Sequence, residues 1–160
     1  MSIAVIGGSG LNQLACFSGA QEMTHNTPYG AHSGPVLKIS MGMLQQKRTG
    51  DKTPVFFLPR HSKGHSLPPH KVNYRANLWL LKSLGVNRII ACNVVGGITE
   101  AMSPGTLVIP HQIVDYTWGR EHTLYDGFYN DEFIKASVEH IDFTSLYSDS
   151  LRHQFIDFLN

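Results

Sequence analysis

The chain has 160 residues, 42% hydrophobic and 16% charged, with a formal net charge of +1; that length suffices for one domain with a substantial core, and so low a charge fraction fits a subunit that hides surface against copies of itself. The near-neutral balance and scattered Lys and Arg exclude the basic stripe that a nucleic-acid partner requires. Cys16 and Cys92 belong to no CxxC or Cys/His pattern, and no stretch has a signal-peptide layout or bilayer length, so a disulfide framework, structural zinc, secretion and membrane insertion are all unexpected and a reducing cytoplasm is the expected compartment.

In chain order, residues 3–6 form a short apolar run that stops at Gly7-Gly8-Ser9-Gly10, the pattern of a buried strand breaking into a glycine turn. A turn-rich stretch containing Thr27-Pro28-Tyr29-Gly30 follows, then a strand over residues 36–43 and a turn over 47–52. Residues 55–58 form a further buried strand that delivers Pro59-Arg60-His61 at its end. Over residues 71–84, Val72, Ala76, Trp79 and Leu80 recur at helical spacing and Gly85 stands as the C-terminal cap. Residues 88–95 read as an apolar strand running into Gly96-Gly97, with shorter strands at 106–109 and 112–115. An amphipathic helix is expected over 146–159, through Leu151, Phe155, Phe158 and Leu159. Strands alternating with helix define an α/β class, in a single domain without repeats or a dividing linker.

Three of these strand ends carry polar groups suited to an anion. Successive glycines at 7, 8 and 10 let backbone N–H groups converge while Ser9 adds a hydroxyl, although an ordinary strand-terminating turn explains the glycines equally well. The dinucleotide fingerprint fails at Gln13 and no Gly-Lys-Ser/Thr follows, which disfavours NAD and ATP. Arg60 offers a planar fork for an oxyanion and His61 and His65 offer imidazoles. No third ligand has metal-site spacing beside these histidines. Asn93-Val94 ends the strand at 88–95. If these strands are parallel, Ser9, Arg60-His61 and Asn93 meet at one sheet edge, where α/β proteins bind ligands. His111, Asp115, Arg120, Glu121 and His122 form a polar cluster for which a surface hydrogen-bond network is the plainer account.

Taken together, Ile6-Gly7-Gly8-Ser9-Gly10-Leu11, Thr27-Pro28-Tyr29-Gly30, Leu58-Pro59-Arg60-His61, Val72-Asn73-Tyr74-Arg75-Ala76-Asn77 and Asp115-Tyr116-Thr117 resemble, in order and spacing, the methylthioadenosine phosphorylase family within the purine nucleoside phosphorylases. The stretches from Ala91 to Ile98, Gly119 to Thr123 and His140 to Phe143, with Pro110-His111-Gln112, look most like the bacterial S-methyl-5'-thioinosine phosphorylases. The resemblance implies a mixed sheet flanked by helices and reversible phosphorolysis, in which phosphate attacks the ribosyl C1' and the purine leaves. It implies no metal and no cofactor, phosphate being a co-substrate. Carried over residue by residue, Ser9, Arg60 and His61 would bind phosphate, Asn93 and Val94 would line the phosphate and ribose site, and His65 would sit near the sugar or the phosphate. His140 would approach the 5' substituent of a neighbouring subunit's substrate, implying a homotrimer.

Family chains continue with a segment carrying further phosphate and ribose contacts and an Asp or Asn near the purine N7. None of that lies within these 160 residues. The sequence therefore leaves two expectations, a phosphorylase of 5'-methylthio purine nucleosides present here in part, or a catalytically silent anion-binding or oligomer-forming remnant of the same fold.

Overall fold

In the computed structural model, which describes residues 2–8, 10–11, 14–44, 52–127 and 140–159, the apolar runs near residues 3, 36, 55 and 88 all enter one five-stranded mixed sheet. The chain divides into two compact units, Met1–Val94 with Arg120–Ala136, and Val95–Gly119 with Ser137–Asn160. The first unit contains β1 (Ile3–Gly7), β2 (Gln21–Met23), β3 (Val36–Ser40), α1 (Met41–Leu44), β4 (Pro54–Pro59), α2 (Tyr74–Ser83) and β5 (Arg88–Ala91). The second contains α3 (Asp149–Leu159).

The strand order is β2-β3-β4-β1-β5. β1 pairs in parallel with both β4 and β5, whereas β3 runs antiparallel to β4 and to β2. β4 is covered on both faces, which is why its sequence is apolar without alternation. Phe56 and Leu58 join Ala4, Val36, Leu80, Leu81 and Val86 in the main core, so one face of the sheet is closed by α2. Phe57 turns the other way and packs its ring 4.6 Å from that of Phe17, in a short 3-10 turn.

The expected helix over 71–84 forms as α2, with both ends explained by local chemistry. The Asn73 side chain caps its start by accepting from the Ala76 N–H at 3.1 Å. At its end Gly85 adopts φ +76° and donates to Lys82 O, while Val86 donates to Leu81 O. That paired arrangement is a Schellman cap, sealed by the burial of Leu81 and Val86 in one cluster.

Several strand expectations are corrected. The run at 36–43 leaves the sheet after Ser40, because β4 begins at its partner Pro54 and Met41 N–H instead donates to Thr53 O as the chain turns into α1. The run at 88–95 stops at Ala91, because its neighbour β1 ends in the glycine turn. No ladder forms at 106–109 or 112–115 among the described residues, where Leu107 and Val114 are exposed. Apolar β-branched residues favour a strand only where a neighbouring strand receives them. β2, short and polar, carries no alternation that reveals it. The turn expected over 47–52 lies, apart from Lys52, outside the described residues. The C-terminal helix begins at Asp149 rather than 146, and Phe155 and Phe158 remain exposed on it.

The remaining family motifs of the first unit form its framework. Tyr29 donates through its hydroxyl to Leu124 O at 2.8 Å, and its carbonyl accepts from Asn73 Nδ2 at 2.7 Å. Arg75 lies 4.8 Å over the Tyr29 ring and pairs with Asp126 at 3.0 Å and Glu121 at 3.6 Å. Asn77, buried on α2, accepts from Ser33 N–H at 2.8 Å and donates to Ser33 Oγ at 2.9 Å. These bonds lash the loop before β3 and the segment around Leu124 to one helix. Of the anticipated polar cluster, Arg120 and Glu121 join this framework, Arg120 donating to the Tyr74 hydroxyl at 3.3 Å.

Candidate anion site

Because β1, β4 and β5 are parallel, their C-terminal ends come level, Gly7 beside Pro59 and Ile6 beside both Leu58 and Ala91. One further rung follows on each side: Arg60 N–H donates to Gly7 O and Cys92 N–H to Ile6 O, both at 2.9 Å. Gly8, Arg60 and Cys92 therefore leave the sheet together at its carboxyl edge. The turn after β1 is tightly packed, since a Cβ on Gly7 would lie 2.7 Å from Leu11 Cδ1 and 2.8 Å from Phe57 Cε2. A larger residue there forces the Leu11 and Phe57 side chains to shift.

The three strand ends surround a cavity of about 390 Å³, a size in the range of small-molecule sites. Its walls are Gly8, Gly10 and Leu11 after β1, Arg60, His61 and His65 after β4, and Cys92, Asn93 and Val94 after β5. These residues supply one permanent cation, two imidazoles and no carboxylate.

Arg60 is half-buried and held at two points. Its Nε–H donates to His61 Nε2 and its Nη1 to Cys92 O, both at 3.3 Å. Its Nη2 lies 3.6 Å from where a Cβ on Gly8 would stand, so the guanidinium rests against bare backbone. Among the described residues Arg60 makes no ion pair. His61 Nδ1 lies 3.0 Å from Leu67 O. A carbonyl only accepts, so Nδ1 carries the hydrogen and Nε2 is the acceptor toward Arg60, which defines a neutral tautomer. The His65 ring stands 4.6 Å from that of His61. The loop holding both has two non-glycine residues in the left-handed region, Ser62 at φ 65° and His65 at φ 58°, each costing on the order of 1–3 kcal/mol. Such strain is characteristic of segments shaped for a site rather than for stability.

Of the residues expected to contact ligand, Arg60, His61, His65, Asn93 and Val94 thus meet around one cavity, with Asn93 and Val94 exposed. Ser9 lies outside the described residues. His140 belongs to the second unit and is exposed, two residues before Asp142. The carboxyl of Asp142 is held below the usual carboxylate range by hydrogen bonds from Thr144, hydroxyl first and backbone N–H second. Sequence reasoning missed Gly8 as the surface behind Arg60, and the carbonyls of Leu67 and Cys92, which orient His61 and Arg60. Carbonyls leave no signature in residue identity. A second cavity of the first unit, about 490 Å³, is lined by Leu78, Trp79, Val86 and Ile89 with Lys82 as its one cation, and lacks any comparable convergence of polar groups.

By class, then, this is an α/β protein with an anion-suited cavity at the carboxyl ends of its parallel strands. The chain belongs to the Phosphorylase superfamily, whose profile it matches over residues 2–160. It is 46% identical over 156 residues to a probable S-methyl-5'-thioinosine phosphorylase of Xanthomonas campestris pv. campestris, covering 98% of this chain and 56% of that protein. It is 45% identical to the 6-oxopurine nucleoside phosphorylase of Pyrococcus furiosus, covering 96% of this chain and 53% of the relative. Among solved structures, methylthioadenosine phosphorylase from Schistosoma mansoni in its apo form superposes with a TM-score of 0.82 at 33% identity, over 98% of this chain and 51% of that one. The chain spans about half the length of the curated relatives it matches. No helix among the described residues is long and apolar enough to cross a membrane.

Proposed function

We propose that this chain carries the phosphate-binding portion of a phosphorylase that converts a 5'-methylthio purine nucleoside and phosphate to the purine base and 5-methylthioribose 1-phosphate. The observation that carries the reading is the convergence of Arg60, His61 and the Gly8 backbone at one parallel sheet edge. In the reaction a phosphate oxygen bonds to C1' as the bond from C1' to the purine nitrogen breaks. The base leaves with the electron pair and takes up a proton. Arg60 and His61 hold the phosphate, with Ser9 as a third contact, so that the attacking oxygen meets C1' as positive charge develops there. Asn93 and Val94 line the phosphate and ribose side, and His65 faces the sugar or the phosphate. His140 reaches the 5' substituent of a neighbouring subunit's substrate in a homotrimer. The enzyme works in purine salvage in the cytoplasm.

Names of the relatives support nucleoside phosphorolysis in general and divide over the base: thioinosine, 6-oxopurine and, at 40% identity in Hyperthermus butylicus, thioadenosine. Our reading takes methylthioinosine first. A thiomethyl group needs a dry pocket whereas a 5'-hydroxyl needs a partner, so inosine should be the poorest substrate. Incubating the protein with phosphate and methylthioinosine, methylthioadenosine or inosine, and comparing kcat/KM from release of free base, tests the order. A preference for methylthioadenosine removes the thioinosine assignment and keeps the phosphorylase. Phosphate binding with no base released from any nucleoside instead identifies a silent anion-binding module.

A further inference from the structure

We propose that anion binding at this site is coupled to the uptake of one proton by His61. The inference rests on the phosphate reading and concerns how the site accepts an oxyanion that presents an oxygen without a hydrogen to His61 Nε2. The Leu67 carbonyl at 3.0 Å fixes the hydrogen of His61 on Nδ1, so Nε2 offers only a lone pair, occupied by Arg60 Nε–H at 3.3 Å. A lone pair repels an anionic oxygen. An oxyanion seated on the Arg60 fork replaces His61 as acceptor for Nε–H, and Nε2 is then left beside the anion without a hydrogen. It becomes a donor by binding a proton from solvent with its own electron pair, and nothing is oxidised or reduced. The product is an imidazolium with Nδ1–H on the Leu67 carbonyl and Nε2–H on the anion, a charge-assisted bond of the stronger kind.

The groups facing His61 agree with this. Arg60 stands beside it at the end of β4, its Nε–H on His61 Nε2 at 3.3 Å. His65, from the same loop, stands 4.6 Å away ring to ring. Cys92, after β5, lines the same cavity, and among the described residues the turn after β1 contributes Gly8, Gly10 and Leu11, none of which titrates. With no carboxylate among these walls, the incoming anion is what supplies the negative charge that stabilises an imidazolium. The Leu67 carbonyl is the positioning group, because it reserves Nε2 for the ligand side.

Sulfate is the appropriate probe, since it does not titrate near neutral pH and any proton taken up belongs to the protein. Calorimetric titration at about pH 8, where an ordinary imidazole is mostly neutral, in two buffers of different ionisation enthalpy should report uptake approaching about one proton per ion bound. Affinity should then fall by about tenfold per pH unit as the pH is raised further. Long-range proton–nitrogen spectra should show one ring passing from the Nδ1–H form to the doubly protonated form on adding sulfate, with that signal missing in His61→Gln. Sulfate binding without proton uptake, or with the protonation on another ring, overturns the proposal and leaves the anion site standing. Failure of both sulfate and phosphate to bind overturns the anion site and the proposal together.

Discussion

Arg60 and Asn77 show how differently two polar residues of the same family motifs are used. Arg60 is tethered by His61 Nε2 and the Cys92 carbonyl yet carries no counter-charge among the described residues, the arrangement on which its proposed role as phosphate ligand rests. Charge-assisted hydrogen bonds contribute about 1.5–3 kcal/mol, and Arg60→Ala should weaken phosphate binding by roughly 10- to 100-fold in a calorimetric titration. Arg60→Lys keeps the charge and loses the fork, and should fall between. Unchanged affinity in the alanine variant would place the ion elsewhere. Asn77 is only 2% exposed and spends its amide on both the backbone and the hydroxyl of Ser33. Asn77→Ala leaves those groups buried and unpaired, and should cost about 1–3 kcal/mol in urea unfolding. A loss near zero would mean that the loop before β3 is not held by this residue.

At the scale of elements, the junctions matter more than the elements. α2 ends in a cap that requires Gly85 at φ +76°, a conformation that costs an ordinary residue roughly 1–2 kcal/mol. Gly85→Ala should therefore lower stability by about that amount while leaving phosphate affinity unaltered, because the cap lies away from the cavity walls. The glycine turn after β1 is the opposite case. A methyl at Gly7 meets the Leu11 and Phe57 side chains at under 3 Å, so those side chains must shift directly beside Gly8, on whose backbone Arg60 rests. Gly7→Ala should reduce both stability, by about 1–3 kcal/mol, and anion affinity. Thermal unfolding and phosphate titration of the two variants separate a cap from a site-forming turn, and equal effects on binding would contradict the distinction.

Over the whole molecule, the two units differ in how they treat apolar side chains. The first buries β4 on both faces of the sheet. The second leaves Ile98 at 98%, Trp118 at 91% and Tyr116 at 89% of full exposure, and ties itself together by polar bonds such as Arg152 Nε–H to Pro110 O and Gln112 Nε2–H to Phe143 O. Exposed large apolar residues in such density are what a surface covered by further protein leaves bare, and a closed symmetric oligomer is the covering that we propose. The proposed homotrimer predicts sedimentation well above the monomer at micromolar concentration. A folded monomer under those conditions would count against it and against a shared site through His140.

What the amino-acid sequence determined by itself was local: the glycine turn after β1, the helix between Asn73 and Gly85, the delivery of Arg60 and His61 from a buried strand, and the family. Each is written in neighbouring residues, by periodicity, capping chemistry and turn preference. Tertiary structure alone decided that β1, β4 and β5 run parallel and end level, which turns three separate strand ends into one cavity. It also decided that 106–109 and 112–115 form no ladder, and that Tyr29, Asn73, Arg75 and Asn77 serve as framework. The reason is that strand register and backbone acceptors are set across tens of residues of intervening chain. The carbonyls of Leu67 and Cys92, which orient His61 and Arg60, belong to residues whose side-chain identity says nothing of where their oxygens point.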